Sequence, residues 1–339
     1  MVNIRDVARQ AGVAPITVSR VINQPESVTP ATRERVLRVI ADLNYVPNTL
    51  AKSLRSRQSH TLALMLSDIT NPFWTTVARG VEDAASKHGY HVILCNTDED
   101  PVKEAASLTL LLQRRVDGII IAPTTNEHQR LAALKRQQTA CVLIDRRVDG
   151  FKADTVYGDS AEAARQLVDH LIGLGHRRIA LINGPAAISS ARDREAGYRA
   201  ALKMRRVPVD ESLILSGEFK QSSGHQLAQR LLARQPRPTA IFAANNFIAV
   251  GVLQVLHAAG LRLPDDMSLV CVDDVPYASV VDPFLTVAAQ PAYDMGATAA
   301  RLLIERLVAG RNLRPRTVVL PPELIIRRSS GPPADQSGA

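Results

Sequence analysis

Residues 4–46 read IRDVARQAGVAPITVSRVINQPESVTPATRERVLRVIADLNYV, and this stretch decides the fold of the amino-terminal part of the chain. Its first apolar residues have the spacing of one helix face: Ile4, Val7, Ala8 and Ala11. Gly12 follows where a helix ends in the left-handed conformation, Pro15 suits the first turn of a second helix, and Thr29-Pro30 begins a third. Two helices joined by a short glycine-containing turn and braced by a third predict a helix-turn-helix domain.

The second of these helices is predicted to contact DNA. An α-helix about 10–12 Å across fits the major groove of B-DNA, where side chains near its N-terminus face the base edges. Arg20 can donate two hydrogen bonds to a guanine, and Ile16 can contact a thymine methyl group. The candidate DNA-binding residues of this helix are Pro15, Ile16, Thr17, Ser19 and Arg20. The alternative is that Arg20 is a solvent-facing side chain on an ordinary core helix.

The positive charge of the chain is concentrated in the same region. The formal net charge is +8, and residues 1–60 contain nine Lys and Arg against four Asp and Glu. The remaining residues contain 32 basic and 29 acidic side chains. A small basic head therefore precedes a large, nearly neutral body, and such a head favours a nucleic acid as partner.

Residues 4–56 resemble the DNA-binding headpiece of the LacI/GalR family, the lactose-repressor family. The most specific motifs of this match are DVA-x-x-AGV, TVSRVIN and LNYVPN. One departure is Ala14, which stands where the family usually has a serine as helix N-cap. We expect this loss to cost about 1 kcal/mol, partly offset because Pro15 presets the first turn.

A short segment with helical composition follows the head, and a helix of this length is marginal in water on its own. The resemblance implies a hinge helix that folds in the minor groove of an operator, with Leu54 wedged between base pairs. The contacts that this resemblance implies are Asn48, Ala51, Lys52 and Leu54. The alternative is an ordinary flexible linker.

From residue 61 onward, continuous apolar runs alternate with helical patterns, which predicts parallel sheets covered by helices on both faces. The expected fold class is an all-α helix-turn-helix headpiece followed by a bilobed α/β domain with two doubly wound parallel sheets. This body resembles the periplasmic-binding-protein fold, and the resemblance implies that helix 293–309 returns to the first lobe and the last strand to the second.

The predicted domain boundaries follow from this pattern. The DNA-binding domain is expected at 1–46, the hinge helix and linker at 47–60, the effector-binding and dimerisation domain at 61–329, and a disordered tail at 330–339. Within the body, lobe one is expected at about 61–159 plus 291–320, and lobe two at about 160–290 plus 321–329.

Polar and aromatic residues directly after the apolar runs predict a ligand cleft, because doubly wound sheets bind ligands at the carboxyl ends of their strands. The positions that also correspond to effector contacts in the family are Phe73, Trp74, Asp145, Ser190, Arg194, Phe219, Asn245, Asp273 and Gln290. Carboxylates, amides, an arginine and flat rings suit a hydroxylated small molecule, so we expect a sugar or sugar acid. Several of these residues have ordinary alternatives, such as core aromatic residues or helix caps.

Other classes of protein find little support. The chain contains no phosphate-binding loop, nucleophile elbow or zinc-protease motif, and its three cysteines and eight histidines show no metal-ligand spacing, so no catalytic activity, cofactor or metal is expected. No apolar run is long enough to cross a membrane, and a cytoplasmic protein without a membrane partner is expected. We therefore expect a homodimeric repressor that binds double-stranded operator DNA under control of a sugar-like effector. The alternatives are the same regulator with a purine or phosphorylated effector, and a solute-binding component of a transporter.

Overall fold

The computed structural model describes residues 2–46, 58–275, 285–309 and 313–334. The chain divides into two compact units, Met1–Ser59 and His60–Ala339, here called the head and the body. The predicted hinge contacts Asn48, Ala51, Lys52 and Leu54 lie outside the described residues.

The head contains the three predicted helices, α1 (Ile4–Ala11), α2 (Pro15–Asn23) and α3 (Pro30–Asp42). Gly12 ends α1 in the left-handed conformation at φ 63°, as the sequence predicts. The three helices meet in one small apolar core formed by Val7, Ala8, Ala11, Val18, Val21, Val36 and Val39.

The two helix starts in this motif are capped differently. Asn3 forms a capping box with Asp6 at the start of α1, which satisfies backbone N–H groups that have no partner within the helix. Ala14 precedes α2 and provides no side-chain hydrogen bond, while Pro15 occupies the first turn. The missing cap predicted from Ala14 is therefore confirmed.

The body consists of two six-stranded sheets, one in each lobe, with strand orders β11-β5-β4-β3-β1-β2 and β12-β10-β9-β8-β6-β7. The strands are β1 (Thr61–Leu66), β2 (His91–Asn96), β3 (Gly118–Ile121), β4 (Ala140–Ile144), β5 (Asp154–Gly158), β6 (Ile179–Asn183), β7 (Ile214–Ser216), β8 (Ala240–Ala243), β9 (Ser268–Val272), β10 (Thr286–Ala289), β11 (Thr317–Leu320) and β12 (Glu323–Ile325). The helices are α4 (Pro72–Ser86), α5 (Pro101–Gln113), α6 (Ala132–Arg136), α7 (Ser160–Gly173), α8 (Ser189–Met204), α9 (Gln221–Leu232), α10 (Asn246–Ala258) and α11 (Ala292–Ala309).

The predicted fold class is confirmed, with one departure in the second sheet. All strand pairs are parallel except β10 with β12, which is antiparallel. Apolar residues cover both faces of each sheet, as expected for sheets that lie between layers of helices.

The end of the chain contributes to both lobes. Helix α11 packs in the apolar core of the first lobe, β11 joins the first sheet and β12 the second. Pro321 and Pro322 separate the two strands. Proline has no backbone N–H to donate, and its φ is fixed. This pair therefore interrupts the hydrogen bonding between strands at the point where the chain changes sheets.

The prediction of a disordered tail is wrong for residues 330–334, which the structure describes. Ser329 and Gly331 are buried, and His176 Nε2 donates to the Gly331 carbonyl oxygen at 2.9 Å. Ser330 Oγ lies 2.9 Å from His170 Nε2. The sequence Ser-Ser-Gly-Pro-Pro has the composition of a linker. The side chains that hold it, His170 and His176, are distant in sequence, so the local pattern did not reveal them.

The uncapped start of α2 leads to a test. Replacing Ala14 by Ser provides an oxygen for the exposed backbone N–H groups of the first turn, and the extended backbone at this residue, φ −71° and ψ 149°, suits a cap. We expect hydrogen exchange of the α2 amides in the full chain to slow by an amount equivalent to about 1 kcal/mol. Ala14→Val, which has no oxygen, is the control and should not slow the exchange.

Candidate functional site

The start of α2 exposes the residues predicted to bind DNA. Ile16 has 52% of its surface exposed although it is a large apolar side chain, and Pro15 and Arg20 are also exposed. Thr17 and Ser19 are half-buried. Because Val18 and Val21 of the same helix are buried in the head core, the helix has one inward face and one outward face. The outward face carries the five predicted residues.

A cleft lies between the two lobes of the body, at the carboxyl ends of the strands. The empty space within it, including the part that is open to solvent, is about 560 Å³. Its lining residues are Ser67, Asp68, Asn71, Phe73, Trp74, Asp98, Glu99, Asp145, Arg146, Ser190, Arg194, Phe219, Lys220, Asn245 and Asp273. Eight of the nine predicted effector residues are among them.

Arg194 is the most unusual of these side chains. It lies one helical turn after Ser190 on α8, is only 3% exposed, and makes no hydrogen bond or ion pair with the described residues. Its guanidinium carbon lies 5.5 Å from the centre of the Phe219 ring. A buried cation without an acceptor among the described residues is costly, which makes Arg194 a candidate ligand contact.

Two carboxylates from different lobes accompany Arg194. Asp145 follows β4 and Asp273 follows β9; both are buried, and both have positive φ, 66° and 70°. Left-handed backbone at a residue other than glycine is strained, and such strain is often found at binding sites. Burial raises the pKa of Asp145, opposed by Arg146, whose Nε lies 3.5 Å from Asp145 Oδ2, and by Arg194. Burial also raises the pKa of Asp273 to about 6, opposed by Arg194.

A second arginine in the cleft is neutralised within the protein. Arg146 donates to both carboxylate oxygens of Glu99, at 2.6 and 2.5 Å, and to the carbonyl oxygen of Pro123 at 3.0 Å. Burial alone would raise the pKa of Glu99, but the adjacent Arg146 holds it below its ordinary value. This pair therefore supports the cleft wall, whereas Arg194 remains available to a ligand.

Aromatic rings form the apolar part of the wall. Phe73 and Trp74 begin α4 and meet edge to face, with ring centres 4.9 Å apart. Asn71 caps this helix by accepting the Phe73 backbone N–H at 3.0 Å. The cap and Pro72 at the first helical position fix where the two rings enter the cleft.

Asn71 also connects the two lobes. Its Nδ2 donates to Asn246 Oδ1, and Asn246 Nδ2 donates to Asn71 Oδ1, both at 2.9 Å. The structure gives Asn246 a place in a buried reciprocal amide pair beside the cleft, next to Asn245, whose Oδ1 caps α10.

The prediction that Gln290 lines the cleft is wrong. Gln290 lies behind Asp273 and donates to its Oδ1 at 2.8 Å. Its Oε1 occupies the space in which a Cβ on Gly158 would stand, 2.2 Å away, so the glycine leaves room for the amide. Gln290 is therefore a support for Asp273 in this structure.

Several cleft residues were not among the nine predicted effector contacts. Ser67, Asp68 and Asn71 follow β1, so the rule that ligands bind after strands places them in the cleft without further information. Asp98 and Glu99 follow β2 with positive φ of 54° and 60°. Glu99 follows β2 and Arg146 follows β4, so the same rule places them in the cleft, but only the folded chain shows that they pair.

Within the described residues, no group of three or more His, Cys, Asp or Glu side chains has the arrangement of a metal site. The described helices include none that is both long and apolar enough to span a membrane.

Comparisons with known proteins identify the family. The model for bacterial regulatory proteins of the lacI family matches residues 3–48, and a periplasmic binding protein-like domain matches residues 168–330. The HTH-type transcriptional regulator DegA of Bacillus subtilis (strain 168) is 36% identical over 97% of this chain and 98% of its own length. The chain belongs to the lacI family. A ribose operon repressor of Escherichia coli (strain K12) is another lacI-family relative, 35% identical over 97% of this chain and all of its own length.

Solved lacI-family structures have the same fold. The Lac repressor dimer bound to operator and the anti-inducer ONPF has a TM-score of 0.84 and 29% identity, covering 97% of this chain and 99% of that chain. A complex of the transcriptional regulator CelR with cellobiose has a TM-score of 0.72 and 33% identity, covering 97% and 100%. These relatives are named as regulators and repressors, so a transporter component or an enzyme has no support among them.

The raised pKa of Asp273 predicts a pH dependence of stability. Between pH 3.8 and about 6 the folded protein holds a proton that the unfolded chain has released, so this group's contribution to stability decreases as pH rises through that interval. Urea unfolding of the chain and of Asp273→Asn should therefore diverge between pH 4 and 7. We expect the unfolding free energy of the chain to fall relative to the variant by up to about 3 kcal/mol. Parallel curves over this interval would contradict the assignment.

Proposed function

We propose that this chain is a homodimeric transcriptional repressor that binds operator DNA through the head and is released from it, or recruited to it, by a sugar bound in the cleft. The proposed domains are residues 1–46 for DNA binding, 47–60 for the hinge and 61–329 for effector binding and dimerisation. The observation that carries the effector part is Arg194, a buried guanidinium that faces the cleft without an acceptor from the described residues.

The chemistry around Arg194 suits vicinal hydroxyl groups. A hydroxyl group accepts from the guanidinium and donates to a carboxylate, and Asp145 and Asp273 supply such carboxylates. Asn245 and Ser190 provide further polar groups, and the rings of Phe73, Trp74 and Phe219 can cover the C–H face of a sugar. The eight lining residues from the predicted set are thus proposed as effector contacts.

The charge of the cleft favours a neutral sugar. Its lining contains five carboxylates, Asp68, Asp98, Glu99, Asp145 and Asp273, against three cations, Arg146, Arg194 and Lys220. Since Glu99 already neutralises Arg146, an added carboxylate or phosphate would face an excess of negative charge. A sugar acid or a phosphorylated metabolite is therefore disfavoured. The cellobiose in the CelR complex is a neutral sugar, which supports this choice for a related cleft.

An exposed apolar surface on lobe one supports a homodimer. The edge strand β2 exposes Ile93 and Leu94 at 37% each, and the neighbouring α5 exposes Val102 at 75% and Leu110 at 47%. Edge strands and apolar patches of this kind are usually covered by a partner. A second copy fits, because the Lac repressor structure is a dimer and a two-fold pair of heads matches a pseudo-palindromic operator.

The proposed control is a shift between arrangements of the two lobes. A ligand that bridges Asp145 of one lobe and Arg194 of the other binds the closed arrangement more tightly, and this differential affinity sets how far the equilibrium moves. When folding of the hinge is coupled to DNA contact, a difference of a few kcal/mol in effector affinity between the two arrangements is sufficient to change the fraction of DNA that is bound.

A ligand screen tests the effector. Thermal unfolding of the protein should be measured with neutral pentoses, hexoses and disaccharides, sugar acids, phosphosugars and nucleobases, because a ligand at 100 times its Kd adds about 2.7 kcal/mol. We expect a neutral sugar to raise the melting temperature and Arg194→Ala to abolish the shift. Arg192→Ala is the matched control, since Arg192 lies on the same helix but pairs with Asp149. Stabilisation by phosphosugars or nucleobases alone would contradict the sugar assignment.

Arg20 tests the DNA contact. Operator sequences can be selected from random duplexes with the protein, and affinity then measured by fluorescence anisotropy. Arg20→Ala should weaken operator binding by about 1–3 kcal/mol and relax the preference at one base pair. Arg38→Ala removes an exposed head arginine that pairs with Glu34 on α3, and it should leave the base preference unchanged. An unaltered preference in Arg20→Ala would remove this residue from base recognition.

A further inference from the structure

One edge of the first sheet carries exposed cations at the start of several strands. These residues, here called the basic edge, are Lys87, Arg114, Arg115, Lys135, Arg136 and Lys152. They precede β2, β3, β4 and β5, which are parallel and adjacent to one another or to β1. Because parallel strands start at the same edge of a sheet, the six cations share one surface, opposite the edge that bears the cleft.

Cations outnumber anions at the basic edge. None of its six side chains makes an ion pair or hydrogen bond with the described residues; the same holds for Lys203, Arg206, Arg230 and Arg234 of the second lobe, whereas Arg199, Arg306 and Arg316 are paired. Asp117 lies at the same edge, accepts the backbone N–H of His60 and offsets one of the six positive charges. Basic residues at helix C-termini complement the helix dipole, which accounts for their position but not for the absence of anionic partners.

The polypeptide enters the body at this edge, since β1 begins at Thr61. Residues 46 and 58 are twelve peptide units apart, so they are separated by at most about 40 Å whichever arrangement the head and body adopt. A duplex held by the head is therefore kept at high local concentration near the basic edge. When exposed cations contact the phosphates of a duplex, the counterions condensed on the DNA are released.

We propose that the basic edge is a second, sequence-independent DNA-binding surface that contacts the phosphate backbone of the duplex held by the head. It rests on the proposed function, because it requires a head that binds DNA. Phosphate contacts add affinity and salt dependence without adding base preference. The basic edge thus raises the fraction of DNA that is bound, and it leaves unchanged which operator sequence the head prefers.

The salt dependence of binding tests this proposal. The probe is a fluorescein-labelled 40-bp duplex of random sequence, titrated with the full-length chain at several salt concentrations. The test variant replaces Arg114, Arg115, Lys135 and Arg136 by Gln. We expect the slope of log K against log salt to become shallower by up to about 3.6, since each phosphate contact contributes about 0.9, and affinity at low salt to fall on the order of tenfold or more.

A variant of equal charge provides the control. Lys203, Arg206, Arg230 and Arg234 lie at the corresponding edge of the second sheet and have no ion pair with the described residues. Their replacement by Gln removes the same four charges far along the chain from the head, and the slope should remain that of the unaltered protein. Circular dichroism and thermal unfolding verify that both variants fold.

The outcomes separate this proposal from the proposed function. If the slope becomes shallower by the same amount in the basic-edge variant and in the control variant, only the overall charge matters. If the slope of the basic-edge variant is unchanged, the basic edge does not contact DNA. Either result overturns the proposal. If the unaltered chain binds no duplex at any salt concentration, the proposed function itself fails. The double variant Arg114→Gln/Arg115→Gln should show about half of the change in slope.

Discussion

The cleft of the body is arranged around one buried cation, Arg194, which has no hydrogen-bond or ion-pair partner among the described residues. Desolvating a guanidinium without an acceptor is unfavourable, and the cleft compensates in part through the Phe219 ring and the fields of Asp145 and Asp273. The two carboxylates bear a related cost, because burial raises the pKa of each and both adopt left-handed backbone. The proposed ligand, with paired donor and acceptor groups, would offset the desolvation of all three charged groups. The centre of the cleft is therefore suited to ligand binding, although these three residues contribute little to the stability of the fold.

The surrounding residues make this arrangement rigid. Glu99 fixes Arg146, Gln290 fixes Asp273, and Asn71 joins Asn246 across the lobes. Gln290 and Asn246 each hold a side chain that lines the cleft, and Glu99 and Arg146, which both line it, hold each other, so the geometry is established before a ligand arrives. The same division is present in the head, where the buried face of α2 orients the exposed face that carries Ile16 and Arg20.

The sequence was sufficient for the features that depend on local pattern. Apolar spacing gave α1, α2 and α3, Ala14 revealed the missing cap, and the positions after apolar runs gave Arg194, Asp145 and Asp273. The sequence was insufficient for features that depend on contacts between segments that are distant along the chain. Nothing near Gln290 indicates that Gly158 leaves room for it, and nothing near Ser329 and Ser330 indicates that His170, Thr286 and Leu269 hold them. Long-range pairing therefore accounts for both errors, one in the cleft and one in the tail.

The placement of the last strands also bears on how the protein is synthesised. Helix α11 and β11 complete the first lobe, whereas β12 and residues 329–331 complete the second. Neither lobe can therefore finish its core until nearly the whole polypeptide has left the ribosome. The head consists of sequence-local contacts and needs none of these later residues, so it can fold early in translation. A nascent chain consequently holds a folded nucleic-acid-binding unit before it holds a working sensor.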